Sequence, residues 1–225
     1  MYDYLMRQHV TSSDATTIAD VGCENGHGVR LIRHLAPSAH VVAIDKHDQR
    51  RDGAEQFLVV DLSQPLPGDA PRFDYVFCLE VFEHIEQRYE KQVLENLRNL
   101  LAPSGRLFLS TPVKSWWNVL HFPTKDHVNE VEYPYLADLL DDYFMIEESF
   151  LVRKRPQSYY LRHKNTPTNV WTVLFFNFPL IAMNRLHRLG IVTRERALRY
   201  FDKQIFLTRN VDGVGTIQLY VLSAK

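Results

Sequence analysis

Between Thr17 and Pro112 five short apolar runs alternate with stretches of helical spacing, and this rhythm constrains the fold more than any other feature. The runs are Ile18 to Gly22, His40 to Asp45, Phe57 to Asp61, Phe73 to Leu79 and Arg106 to Thr111. Such alternation is the pattern of parallel strands joined by crossover helices. None of the runs alternates polar with apolar residues, as expected of strands covered on both faces. Gly28 to Leu35 and Arg88 to Leu101 read as helices, the second because Val93, Leu94, Leu97, Leu100 and Leu101 fall at helical spacing. Pro103-Ser104-Gly105 predicts the turn into the fifth strand.

After Pro112 the rhythm changes. Trp116 to Asn129 reads as a loop, Tyr135 to Asp142 as a helix, Met145 to Val152 as a strand and Gly215 to Ala224 as the final strand. The expectation is an α/β, doubly wound, seven-stranded sheet with a helical insertion between the last two strands. Its divisions are a core at 1–152, a basic and apolar insertion at 153–213 acting as a lid, and a returning strand at 214–225. An insertion of that length is usually functional. With 225 residues and 45% hydrophobic content, there is chain enough for one sizeable core, and disorder is excluded. Cys23 and Cys78 are too few for a disulfide framework or a zinc finger, which suits a reducing cytoplasm. Met1 to Val10 lacks the basic and apolar segments of a secretory signal, so no export is expected.

The first strand runs into Asp20-Val-Gly22-Cys-Glu24-Asn-Gly26-His-Gly28, followed by a helix. Glycines allow a sharp turn and a close approach to a ligand, and the helix start adds its positive dipole end. In open α/β sheets ligands bind in the crevice at the carboxyl ends of the strands. A dinucleotide fingerprint needs a third glycine, where Leu31 stands, so a nicotinamide-dependent dehydrogenase is disfavoured. There is no Gly-Lys-Ser/Thr phosphate loop either.

Over residues 17 to 150 the sequence resembles the class I, Rossmann-like methyltransferases that use S-adenosylmethionine, of the type acting on small molecules and sugars. Four elements carry the resemblance in order: Asp20 to Gly26, Asp45 at the end of Val41-Val-Ala-Ile-Asp45, Asp61-Leu62, and Phe73-Asp-Tyr-Val-Phe-Cys-Leu-Glu80-Val-Phe-Glu83-His84. The resemblance implies that Asp20, Gly22, Cys23, Glu24 and Gly26 surround the amino acid end of the donor. It implies that Asp45, with Lys46 beside it, grips the ribose hydroxyls, that Asp61 and Leu62 meet the adenine, and that Leu79 lines the floor. Glu24 departs from the pattern, since the family usually has glycine there, and it could itself meet the donor's positive charge.

Methyl transfer from a sulfonium asks mainly for positioning and exclusion of water. A hydroxyl acceptor also needs a base, for which His84 and His127 are the candidates and Glu80 and Glu83 the carboxylate alternatives. His121, Asp126 and His127 could supply metal ligands, but magnesium favours oxygen, and no metal is expected. The Asn/Asp-Pro-Pro-Tyr/Phe signature used for amino groups is missing, because Cys78-Leu79-Glu80-Val81 stands in its place. Oxygen is therefore the expected acceptor atom. Nitrogen or carbon acceptors, or a non-catalytic donor-binding scaffold, are the alternatives.

The net charge of -1 conceals an asymmetry: residues 1 to 152 hold 13 Lys and Arg against 24 Asp and Glu, and residues 153 to 225 hold 13 against 3. A basic final third predicts an anionic partner, here an anionic small-molecule or sugar acceptor. Nucleic acid is disfavoured by the acidic core and the sequence pI of about 6.8. The apolar run Val170 to Met183 is interrupted by Asn177 and Pro179, too short for a bilayer span of roughly 20 residues. It reads first as a cap over the acceptor pocket and second as a peripheral membrane contact through 165–200.

Overall fold

The computed structural model describes residues 1–48, 56–112, 127–154, 205–209 and 217–225. Within them lie helices α1 (Tyr2–His9), α2 (His27–Leu35), α3 (Glu90–Asn99) and α4 (Tyr133–Asp141). The strands are β1 (Thr17–Val21), β2 (His40–Asp45), β3 (Gln56–Val59), β4 (Phe73–Leu79), β5 (Leu101–Pro112), β6 (Phe144–Lys154), β7 (Ile205–Arg209) and β8 (Ile217–Ala224). The strand order is β3-β2-β1-β4-β5-β8-β6-β7. The first five strands pair in parallel and β8 pairs antiparallel with β5, so the sheet is mixed.

The chain divides into two compact units, Met1–Phe150 with Thr216–Lys225, and Leu151–Gly215. Seven strands, β1 to β6 and β8, build the sheet of the first unit. The second unit holds the outer end of β6 and β7, a strand that hydropathy did not single out and that falls inside 153–213.

Burial explains why the runs become strands. Ala19, Val21, Val42, Ile44, Val76, Cys78, Leu107 and Leu109 pack with Val93, Leu94 and Leu97 of α3 and Leu136, Leu139 and Leu140 of α4 in one core cluster. Chain order reverses between β1 and β4, which places a ligand crevice at the carboxyl ends of these two neighbours.

Two expectations shift. The expected helix at 88–101 begins at Glu90, after short 3-10 turns at Phe82–His84 and Gln87–Tyr89. The turn expected at Pro103-Ser104-Gly105 lies inside β5 instead. Phe73 pairs with Leu101 and Tyr75 with Arg106, so four residues bulge out of the ladder without ending the strand. Gly105 is required there, because an added Cβ would stand 2.6 Å from the Phe73 carbonyl oxygen.

Candidate active site

The turn after β1 is built by three left-handed residues, Gly22 (φ 69°), Glu24 (φ 43°) and Gly26 (φ 70°). Gly22 and Cys23 both donate to the Ile44 carbonyl, at 2.8 and 3.3 Å, tying the turn to the end of β2. Glu24 is exposed and donates its backbone N–H to Asp45 Oδ2 at 3.0 Å, while His47 donates to Oδ1 at 2.9 Å. Each Asp45 oxygen retains a second lone pair, so a diol can still donate to it. The left-handed backbone at Glu24 is the physical reason glycine is the more usual residue there.

Asp20 lies behind this turn. It is 1% exposed, with Oδ1 accepting from the Tyr2 hydroxyl at 2.6 Å. Burial pushes its carboxyl up to about 6 against the opposing pull of Tyr2 and the Val29 amide. An added Cβ at Gly28 would meet Asp20 Oδ2 and the Tyr2 hydroxyl, each at 2.5 Å, so this glycine is set by the buried pair. Tyr2 also stacks on Phe77 of β4, with ring centroids 5.4 Å apart. No local pattern at Tyr2 announced that role.

The other residues expected to meet the donor lie at or just after the ends of β2, β3 and β4. Lys46 is exposed, and Asp61 is exposed with its carboxylate closed onto the Ser63 N–H at 2.9 Å. The Ser63 bonds, with Lys46 and His47 nearby, hold the Asp61 carboxyl below the usual range. Leu62 is 6% exposed and belongs to the core cluster, with its carbonyl accepting from Asn96 at 2.8 Å. Leu79, half-buried, ends β4. Cys23 is buried, and burial, with the charges of Asp20 and Asp45, pushes its thiol up to about 12.

On the other side of the crevice the segment after β4 gathers titratable groups. Glu80 has a left-handed backbone (φ 58°) and donates its N–H to the Ser110 carbonyl at 2.9 Å. The Ser110 hydroxyl donates to Glu80 Oε1 at 2.7 Å, and Thr111 donates to Glu83 Oε2 at 3.0 Å. Burial and the neighbouring Glu83 charge push Glu80 up to about 7, and burial raises Glu83 as well. His127 Nδ1 lies 3.0 Å from Glu130 Oε1, and the rings of His84 and His127 meet edge to face at 5.1 Å. Val128 and Asn129 donate their N–H groups to the Glu83 carbonyl at 2.9 and 3.0 Å. The buried Glu90 accepts from Asn129 Nδ2 at 2.7 Å and from the Tyr135 hydroxyl at 2.6 Å, locking the 127–130 segment down.

The structure thus brings Glu80, Glu83, His84 and His127 together, and adds Ser110, Thr111, Glu130, Asn129 and Glu90. Glu90 left a signal in the sequence: it shares the helical face of Val93, Leu94 and Leu97, where a charge needs buried partners. His121 and Asp126 lie outside the described residues. So do residues 155–204, which include the apolar run and most of the expected lid.

The doubly wound sheet brings a glycine turn at the end of β1, an acid at the end of β2 and an acidic and histidine cluster after β4 to one edge. Residues 19–107 match the family model described as a methyltransferase domain. A "Ubiquinone biosynthesis O-methyltransferase" of Xylella fastidiosa (strain M23) is 31% identical over 124 residues, covering 48% of this chain and 46% of that protein. A "tRNA U34 carboxymethyltransferase" of Campylobacter curvus is 31% identical over 109 residues, covering 44% and 35%. The chain therefore spans less than half the length of these curated relatives. The fold is shared across the whole chain with a solved methyltransferase-like protein of Bacillus halodurans, at TM-score 0.58 and 16% identity, covering 100% of this chain and 99% of that one. Over residues 19–107 the chain is thus similar to methyltransferase domains, and its fold is shared with the Bacillus halodurans protein. The turn after β1 fits S-adenosylmethionine in that Asp45 keeps acceptor capacity for ribose hydroxyls and Gly22 and Gly26 present bare backbone at two of its positions. Among the described residues no helix is long and apolar enough to cross a membrane.

Proposed function

We propose that this protein transfers a methyl group from S-adenosylmethionine to an oxygen of a small molecule or sugar. The observation that carries the reading is the direct packing of the donor turn on the acceptor cluster. An added Cβ at Gly22 would run into the methyls of Val81, which follows Glu80 directly in the chain. Gly22 therefore lies next to the segment that carries Glu80, Glu83 and His84, and a donor held over it would have its sulfonium near these groups. In the reaction the C–S bond breaks with its electron pair going to sulfur, a C–O bond forms, and the hydroxyl proton leaves. His127 Nε2 takes that proton, with Glu130 orienting the ring through Nδ1. His84, Glu80 and Glu83 surround it as the polar walls of the acceptor subsite.

Donor contacts in this reading come from Gly22, Cys23, Glu24 and Gly26, from Asp45 and Lys46, from Asp61 and Leu62, and from Leu79. Asp20 acts from behind by fixing the turn. Residues 153–213 serve as the lid, and their basic character favours an anionic acceptor. The two buried free thiols suit a cytoplasmic setting. The name of the Xylella relative favours oxygen, and that of the Campylobacter relative brings tRNA into the acceptor screen.

Calorimetric titration with S-adenosylmethionine and S-adenosylhomocysteine, with NAD as control, tests the donor. Micromolar binding of the first two alone is expected, followed by transfer to members of a panel of phenols, phosphorylated sugars and tRNA. Donor binding with no transfer to any acceptor would favour the scaffold reading, and NAD binding would overturn both.

A further inference from the structure

We propose that Glu83, His84 and His127 form a binding site for a divalent transition-metal ion at the acceptor side of the crevice. Each offers one ligand atom, and the three atoms lie within 4.8 Å of one another. Bonds of about 2.0 to 2.2 Å to such an ion bring neighbouring ligands to roughly 3 to 3.5 Å, so closure needs about 1 Å of side-chain adjustment. One carboxylate with two imidazoles suits zinc, manganese, iron or cobalt, and does not suit magnesium or calcium, which prefer all-oxygen shells. This trio differs from His121, Asp126 and His127, the set the sequence offered.

The surroundings are those of a built site. An imidazole ligand usually has its second nitrogen held by a carboxylate, which fixes ring and tautomer. Glu130 Oε1 occupies that place on His127 Nδ1 at 3.0 Å, leaving Nε2 as the ligand atom. Thr111 donates to Glu83 Oε2 at 3.0 Å and so fixes the orientation of the carboxylate. The two strands of chain that supply the trio are fastened together, since the Glu83 carbonyl accepts the N–H groups of both Val128 and Asn129. Asn129 and Tyr135 are in turn anchored on the buried Glu90.

Three protein ligands leave positions open, the arrangement of a catalytic rather than a structural ion. What the ion does there rests on the oxygen-transfer reading: coordination of the acceptor hydroxyl lowers its pKa, and the proton passes to solvent as the C–O bond forms. With the ion bound, His127 Nε2 serves as a ligand, and direct proton transfer to it belongs to the chain without the ion. Whether the ion binds is independent of that reading.

The test is titration of the chelator-treated full chain with cobalt(II), read by visible absorption, and with zinc(II) and manganese(II), read by calorimetry. One ion per chain is expected, with a cobalt spectrum of low coordination number. His84→Ala and His127→Ala should each weaken binding at least tenfold, and Glu130→Gln about 10- to 100-fold. His84 is exposed, so its truncation leaves the core untouched, and equal melting temperatures establish that each variant is folded. Stoichiometry well below one, or unchanged cobalt affinity in the folded His84→Ala variant, would overturn the site. Stoichiometric binding in a chain that methylates nothing would uphold the site and remove the oxygen-transfer reading instead.

Discussion

Asp20 makes the stability of this protein depend on pH in the direction opposite to that of most carboxylates. One oxygen accepts from Tyr2, and the other makes no hydrogen bond of good geometry among the described residues. Burial therefore wins, and the carboxyl rises from 3.8 to about 6. Between those values the folded chain binds more protons than the unfolded chain, so stability falls as pH rises through this window. Below about pH 3 the group is neutral in both states and costs nothing. Above pH 6 the full cost is present, about 3 kcal/mol at roughly 1.36 kcal/mol per tenfold step in the proton equilibrium. Asp20→Asn cannot ionise, and its Oδ1 still accepts from Tyr2. Its amide nitrogen lands where Oδ2 was, at a cost of about 1 to 3 kcal/mol if unpaired, so the gain at neutral pH is small and the slope is the diagnostic quantity. Urea unfolding from about pH 3 to about pH 7 measures it. The difference in stability between variant and parent should grow in the variant's favour by about 3 kcal/mol across the window. Parallel profiles through pH 4 to 6 would refute the argument.

Asp45→Ala removes charge-strengthened hydrogen bonds to the ribose, worth about 1.5 to 3 kcal/mol, so S-adenosylhomocysteine affinity should drop about ten- to 150-fold by calorimetry. Unchanged affinity in a folded variant would detach Asp45 from the donor. Gly22→Ala combines a left-handed backbone with a collision at Val81, and should lower unfolding stability by about 2 to 4 kcal/mol in urea. Glu24→Gly relieves left-handed strain of about 1 to 2 kcal/mol and gives back about 0.5 to 1 in chain entropy, so a net gain of roughly 0.5 to 1 kcal/mol is expected in the same assay.

The sequence by itself determined most of the sheet and the glycine turn that follows its first strand. Strand periodicity and chain order are local properties: apolar runs such as Val41 to Ile44 can only be covered on both faces, and glycines at 22 and 26 mark a turn wherever they occur. β4 was legible to the residue, at Phe73–Leu79. The ladder of β5 was not, because a proline and a glycine in sequence cannot show that the chain rejoins the same strand after bulging. Tertiary structure alone decided the acceptor side. His127 is 43 residues from His84, and Tyr135 is 45 from Glu90, yet each pair touches. Tyr2 reaches Asp20 across 18 residues because α1 packs against α2. Such contacts depend on loop closures whose entropy is met by burial elsewhere in the core, and no local pattern of residue types records which closures form.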